Sequence, residues 1–448
     1  MFHHSDAYVK KSTISTYIAQ PLALWGGIEC TVHRVGDQYF DQLQRTGHHH
    51  RCDDIKRLAD LGLQTIRYPL LWERAAPHRP DQIDWQWADE RMQCLREHQI
   101  RPIVGLVHHG CGPRYATFER TAFERELPRY ARQVAERFPW IDAYTPINEP
   151  LTTARFSGLY GHWYPHGRHD KVFAQLLVRE CRTTIRVMRE VRLVNPAAQL
   201  VQTDDLGQTH SSSRLSYQAD FENERRWLTW DLLCGRVTPH HPMWGYLRYA
   251  GITEADLWYM VENACPPSII GINHYLTSER YLDHKLATYP KHLWGGNGRH
   301  TYADTEVVQA APEKRVGLEG LIRQTWQRYQ MPIVITEAHL GSTVDEQLRY
   351  LWEFWQAAEQ AKAAGADVQA VTVWAMLGSY DWHCLLTRCE NYYEAGTFDV
   401  SSGRPQPTEL AALVHHLATG KPARHLIPPG RGWWQTANAD TPINELVA

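Results

Sequence analysis

The chain has no CxxC pair, no apolar run of membrane-spanning length and no excess of either sign of charge. Its nine cysteines are scattered and odd in number, which excludes a disulfide framework or a zinc ribbon and leads us to expect reduced thiols. Without about 18 consecutive apolar residues, no membrane span is expected. Lys plus Arg total 47 against 50 Asp plus Glu, so the formal net charge is −3. That balance offers no basic stripe, and no nucleic-acid partner is expected. The opening residues, MFHHSDAYVKKSTISTY, lack the apolar core of a secretory signal, and the expected location is cytoplasmic. GxxxxGK[ST] is absent, and the first apolar strand is not followed by GxGxxG, which removes the common nucleotide-binding loops. No low-complexity segment is present.

What the sequence does have is length and rings. Its 448 residues, 43% hydrophobic and 22% charged, suffice for a large core. There are 18 Trp, 22 Tyr and 25 His. Flat apolar faces with polar edges suit stacking on sugars, although such residues also fill ordinary cores.

Eight short β-rich runs fall at 22–26, 65–68, 102–107, 143–148, 200–203, 269–273, 333–336 and 371–374. Most are continuously apolar, the pattern of strands covered on both faces. Helical patterns lie between them at 51–61, 87–99, 123–137, 172–194, 212–234, 253–263, 318–329 and 344–364, and 407–419 closes the series. Gly62, Asn195–Pro196 and Gly365 stand where helices should stop. This alternation predicts an α/β chain folded as a single (β/α)8 TIM barrel spanning 1–448. The core would run over about 20–420, followed by a tail at about 427–448. The stretch 276–317 has little periodicity and is expected to be an elaborated loop.

In such a barrel, reactive side chains stand at the C-terminal ends of the strands. The fourth run ends in Asn148–Glu149–Pro150, and the seventh ends in Glu337. Two acids closing two apolar strands of one barrel are the parts needed for glycosidic cleavage: one protonates the leaving oxygen, the other attacks the anomeric carbon or activates water. A lone strand-end Glu paired with an arginine would be the plain structural alternative. His48–His49–His50 with Cys52 and Asp53–Asp54, and His108–His109 with Cys111, tempt a metal reading. Neither has a recognised ligand spacing, so no metal and no cofactor are expected.

The residues resemble a known family. TPINEP is similar to the acid/base signature of family 1 glycoside hydrolases, which are retaining (β/α)8 enzymes, and ITEAHL resembles their nucleophile signature. LALWGGIECTVHRVGD, LGLQTIRYPLLWERAAP, GLVHHGCGPRY, IIGINHYLTSERY and VTVWAMLGSYDWHC resemble the family's first-, second-, third-, sixth- and eighth-strand segments, in order, over about residues 20–420.

The resemblance implies a β-glycoside as the carbohydrate partner, with Glu149 as general acid/base and Glu337 as nucleophile. It implies that Asn148 holds the sugar 2-hydroxyl, that Arg67 and Tyr275 (in the Asn273–His274–Tyr275 segment) hold Glu337, that His108 contacts the glycone and that Trp374 forms the platform. Four positions depart from the family pattern. His33 stands for a glutamine, with Glu29 able to take its contact; His109 stands for a tryptophan; Ala338–His339 stands for Asn-Gly; and Asp381–Trp382 stands for Glu-Trp. The resemblance therefore implies a kept catalytic centre and a changed sugar-selecting shell in an exo-acting enzyme. A transglycosylase or a non-catalytic sugar-binding relative on the same scaffold are the alternatives.

Overall fold

The computed structural model describes residues 21–435. Eight parallel strands close into one barrel. They are β1 (Ala23–Gly27), β2 (Thr65–Pro69), β3 (Arg101–His108), β4 (Ala143–Asn148), β5 (Gln199–Asp205), β6 (Ile269–Asn273), β7 (Ile333–Ala338) and β8 (Val368–Val373). Each pairs with its sequence neighbour. The ring closes where β1 lies beside β8, with Ala23 opposite Ala370 and Trp25 opposite Thr372. Every residue of β4, β6 and β7 is buried, which explains why these runs read as unbroken apolar segments.

One residue from every strand except β2 fills the barrel floor: Trp25, Ile103, Ala143, Val201, Ile269, Val334 and Ala370. A second, larger core lies between the strands and the surrounding helices. Those helices include Asp53–Asp60, Gln86–Glu97, Thr121–Arg137, Asp170–Val194, Gly317–Tyr329, Val344–Ala363 and Glu409–Ala418. The expected helix stops at Gly62 and Gly365 take φ of 88° and 98°, a left-handed turn that only glycine adopts without penalty.

Two sequence expectations are corrected. The stretch 276–317 is not merely a loop. Arg280–Asp283, Trp294–Gly296 and Thr301–Glu306 join Thr209–Ser211 in a four-stranded sheet. These strands are only three to six residues long and each contributes at most one residue to the buried cluster of Leu215, Leu282 and Tyr302, so they leave no period-2 apolar signal; Arg280–Asp304 at 2.8 Å adds a cross-strand ion pair. The single helix expected at 212–234 is broken into Ser216–Arg225 and Leu228–Leu233. The first piece is pinned where the Asn223 side chain exchanges two hydrogen bonds with the Thr209 backbone. The second turns so that Trp230 donates to the Gln202 carbonyl and Thr229 to Asp204.

The described part of the tail packs back on the barrel: Trp434 is buried and donates to Glu353 at 2.7 Å. The expected signal-free N-terminus and the last thirteen residues of the tail lie outside the described residues. Among the described residues, no helix is long and apolar enough to cross a membrane. All nine cysteines are free thiols.

Candidate active site

The C-terminal ends of β2, β4, β6 and β7 bring four predicted residues into one hydrogen-bonded group. Arg67 leaves β2 and points inward. Its Nη1 donates to Glu337 Oε1 at 2.8 Å and to the Thr336 carbonyl at 2.7 Å, and its Nη2 donates to Asn148 Oδ1 at 2.7 Å. The Tyr275 hydroxyl donates to the other Glu337 oxygen. β7 slips register between Ile335 and Glu337, and such an irregularity re-aims the side chain that follows it. Asn148 Oδ1 also accepts from Thr203 Oγ1 at 2.7 Å. The Asn148 carbonyl oxygen is thus fully occupied, which turns the amide nitrogen toward His108 and His109.

Glu149 follows β4 with φ 47° and ψ 63°, left-handed for a residue with a side chain, and Pro150 starts a short helix directly after it. His109, just after β3, has φ 54°. Strained backbone of this kind costs about 1–3 kcal/mol per residue and concentrates at working sites. Asn273 Nδ2 donates to Glu149 Oε1 at 2.5 Å, and His109 Nε2 lies 3.8 Å from Glu149 Oε2. Glu149 and Glu337 are both buried.

Their electrostatic settings differ. Burial pushes both carboxyls up. For Glu337, the Arg67 guanidinium and the Tyr275 hydroxyl pull in the opposite direction and favour the carboxylate. For Glu149, the charges of Glu337, Asp205 and Asp204 push further up, opposed by the Asn273 amide, so it is held well above the ordinary range. Burial also keeps the histidines neutral: His109 is lowered to about 3 and His33 to about 4, and His108 falls well below its usual value.

The remaining candidates form a wall beside this centre. Trp374, just beyond β8, lies under Arg67, whose guanidinium carbon is 4.7 Å from the ring centroid. His108 stacks on it at 5.3 Å and 11°. Trp374 Nε1 donates to Glu29 Oε2 at 3.1 Å, and Glu29 Oε1 accepts from the Thr31 amide. Gly27 makes room for this indole, because a Cβ there would fall 2.3 Å from Trp374 Cε3. His33 and Trp382 are brought into the same wall by Trp163, whose ring lies 5.5 Å from His33, 5.2 Å from His109 and 6.3 Å from Trp382.

Asp381 is not brought to the wall. Its carboxylate accepts from the Tyr392 amide at 2.8 Å and the Glu390 amide at 3.2 Å, and pairs with Arg45 at 2.7 Å. It takes φ 59°, which turns the side chain into its own loop, so it braces that loop rather than offering oxygens to a sugar. Three contributing residues escaped the sequence reading. Trp163 lies outside every strand-end motif. Asp204 and Asp205 close β5, and the rule that singled out Glu149 and Glu337 would have found them.

The His48–His50 run forms a 3-10 turn, with His48 held by Asp54 at 2.9 Å and Tyr68 at 2.8 Å. Among the described residues, the cluster with metal-like proximity is His383, Cys384 and Glu390. Its Glu390 is already held by His383 and Arg388, and its Cys384 donates to backbone carbonyls.

Residues 34–388 match the profile of Glycosyl hydrolase family 1. A phospho-cellobiase of Klebsiella oxytoca is 23% identical over 406 residues, covering 81% of this chain and 82% of that protein. A bifunctional beta-D-glucosidase/beta-D-fucosidase of Bifidobacterium breve is 22% identical over 407 residues, covering 80% and 85%. The fold superposes on a family 1 β-glucosidase from Thermotoga maritima with a TM-score of 0.70 at 16% identity, covering 89% of this chain and 97% of that one.

Proposed function

The chain belongs to glycosyl hydrolase family 1, and we propose that it is a retaining, exo-acting β-glycosidase with Glu337 as nucleophile and Glu149 as general acid/base. The unequal settings of the two carboxyls, both raised by burial but only Glu337 countered by a cation, carry this reading together with the Arg67 and Tyr275 hydrogen bonds to Glu337. Arg67 and Tyr275 favour an ionised Glu337, while burial and three neighbouring acids favour a protonated Glu149.

In the first step a Glu337 oxygen bonds to the anomeric carbon as the glycosidic C–O bond breaks. The departing electron pair settles on the leaving oxygen, which takes the proton of Glu149. Forming the ester removes the Glu337 charge, so Glu149 then holds a proton less tightly. In the second step Glu149 takes a proton from water, the water oxygen bonds to the anomeric carbon, and the Glu337 bond breaks. Asn148, whose amide nitrogen lies between His108 and His109, would exchange one of those contacts for the 2-hydroxyl, a contact that strengthens in the transition state. His108, kept neutral, can accept or donate toward other hydroxyls, while His109 is engaged by Thr153 and Asn148.

Exo action is favoured by a hydrogen bond that joins two segments beside the site. Trp163 Nε1 donates to the Leu385 carbonyl at 2.7 Å, linking the segment after β4 to the loop after β8.

The test is turnover of nitrophenyl β-glycosides by wild type, Glu337→Gln and Glu337→Gly. Wild type should release nitrophenol and Glu337→Gln should not. Azide should partly rescue Glu337→Gly with inverted product stereochemistry. Full activity in Glu337→Gln would overturn the assignment, and added alcohol acceptors would separate hydrolysis from transfer.

A further inference from the structure

We infer that Asp204 is a positioning residue for Glu149: from the end of β5 it caps the turn that Glu149 begins, and so fixes where the Glu149 carboxyl points. The inference rests on the glycosidase reading of Glu149 and adds a residue that acts through it without touching the sugar.

The first observation is a turn whose leading residue does not cap it. Glu149 stands immediately before the short helix Pro150–Ala154, and its side chain accepts no hydrogen bond from that helix. The carboxyl is turned instead to Asn273. The first amides of a helix have no partners within it, and the side chain that precedes them normally takes one. Here Asp204 takes them from the neighbouring strand. Its Oδ2 accepts from the Leu151 amide at 2.9 Å, and its Oδ1 accepts from the Thr152 amide at 3.4 Å and the Thr152 hydroxyl at 3.2 Å. The residues before it continue the hold. The Gln202 amide donates to the Ile147 carbonyl at 3.0 Å, and the Thr203 carbonyl accepts from the Glu149 amide at 3.3 Å. Gln202, Thr203 and Asp204 thus grip the chain on both sides of Glu149. A left-handed backbone at a residue with a side chain persists only where its surroundings over-determine it in this way.

The second observation is how Asp204 itself is held. It is fully buried, and it also accepts from the Thr229 hydroxyl at 2.5 Å and the Asp205 amide at 3.0 Å. Burial raises its carboxyl to about 6, against the Thr229 and Leu151 hydrogen bonds, so it is ionised at neutral pH. Glu180, nearby on the helix Asp170–Val194, shows the contrast. It is equally buried, neither of its oxygens has a hydrogen-bond partner, and burial and the Asp204 charge push it well above the ordinary range. A buried carboxylate is costly unless donors fill its lone pairs, and the turn after Glu149 supplies those of Asp204.

The same charge reaches Glu149. The groups that face Glu149 are Glu337 on β7, Asp204 and Asp205 on β5, Asn273 on β6, Tyr275 just after it, and His109 after β3, which is neutral. Asp204 is faced in turn by Asp205, Arg155 and Glu180. Removing the Asp204 charge lowers the Glu149 pKa, so an acid that works only when protonated is lost at lower pH.

The experiment compares wild type, Asp204→Asn and Asp204→Ala on a phenyl and a dinitrophenyl β-glycoside of the same sugar, across pH. Dinitrophenolate leaves without a proton and phenolate leaves poorly without one, so kcat/KM on the phenyl substrate alone depends on a correctly aimed Glu149. In Asp204→Ala, kcat/KM should fall by about tenfold or more on the phenyl glycoside and by less than about threefold on the dinitrophenyl glycoside. Asp204→Asn keeps an acceptor oxygen for the turn but no charge. The basic limb of its kcat/KM profile on the phenyl glycoside should move to lower pH by about half a unit or more. An equal loss on both substrates, as general damage to the fold would produce, overturns the inference, as does a basic limb that stays in place in Asp204→Asn. Should Asp204→Ala fail to fold, Asp204→Asn carries the comparison of leaving groups at neutral pH, with the larger loss again expected on the phenyl glycoside. If wild type cleaves neither substrate, the glycosidase reading fails separately. The hold on Glu149 is then read by NMR on protein labelled in its glutamate carboxyls, with the Glu149 signal assigned by Glu149→Gln. That signal should titrate at lower pH in Asp204→Asn and lose its single sharp position in Asp204→Ala, and an unchanged signal in either variant overturns the inference.

Discussion

Asn273 holds Glu149 at 2.5 Å through its side-chain amide, while its own carbonyl oxygen accepts from Thr336 at 2.6 Å. The amide is therefore fixed in the one orientation that favours an ionised Glu149. It opposes the burial and the neighbouring acids that favour a proton there.

Removing that donor by Asn273→Ala should raise the Glu149 pKa further. Glu149 must be protonated to act as acid, so activity is lost as pH rises through its pKa. The basic limb of the kcat/KM profile is expected to move to higher pH. The rate at neutral pH should fall by part of the ~10²–10⁴-fold that an acid/base group contributes. A pH–rate profile of the variant checks this, and a limb that moves downward would contradict the role given to Glu149.

Arg67→Met should act on the opposite limb. Glu337 must be ionised to attack, so activity is lost as pH falls through its pKa. Without the guanidinium that pKa rises, and the acidic limb should move to higher pH. kcat/KM should fall by about 10²-fold or more, the scale of losing a preorganised charge partner. Glu337 would also be left buried without its counter-charge, keeping only Tyr275, at a cost of about 3–5 kcal/mol, measurable as a drop in denaturation midpoint.

Asp381→Ala should leave the chemistry intact and loosen the loop that carries Trp382. The substitution strands Arg45 and two backbone amides, so stability should fall by about 1–3 kcal/mol and KM should rise more than kcat falls. The Asp381 pKa is held below its ordinary 3.8 by hydrogen bonds from Arg45 and the Tyr392 amide, against the opposing effect of burial. A group lowered in this way stabilises the fold above its unfolded value, and the benefit is lost as pH falls through the folded one. Wild type and Asp381→Ala should therefore converge in stability only in acid, below about pH 4.

Gly27→Ala would place a methyl group where the Trp374 ring already is. Overpacking of this kind costs about 1–3 kcal/mol and moves the larger partner. Because Trp374 carries the stack with His108 and the bond to Glu29, the variant should lose both thermal stability and sugar affinity. Melting curves and inhibitor titrations would show both. A variant as stable and as active as wild type would mean that the indole has room to move.

The barrel was legible in the sequence, and the two glutamates proposed to react stood out there, because both rest on local rules. Double-sided burial erases polar residues from a strand, which makes the acid that closes it conspicuous, as at Glu149 and Glu337. Asp381 was misread because position along a motif says nothing of where a left-handed residue aims its carboxylate, and Arg45 belongs to a distant stretch of chain. Trp163 was missed because it occupies no strand end and reaches the site only through packing. The four-stranded sheet around Arg280–Asp283 was missed because its strands are only three to six residues long, and its small apolar cluster draws Leu282 and Tyr302 from different strands and Leu215 from outside them.

The barrel closes by pairing its first strand with its last. A nascent chain leaving the ribosome therefore carries Glu149 and Glu337 before it carries Trp374. Until β8 arrives, β1 and β7 each keep an open hydrogen-bonding edge, the kind of edge that invites contact with other chains. A chain cut short before β8 would lack Trp374 and keep both edges open, and would therefore be prone to clump.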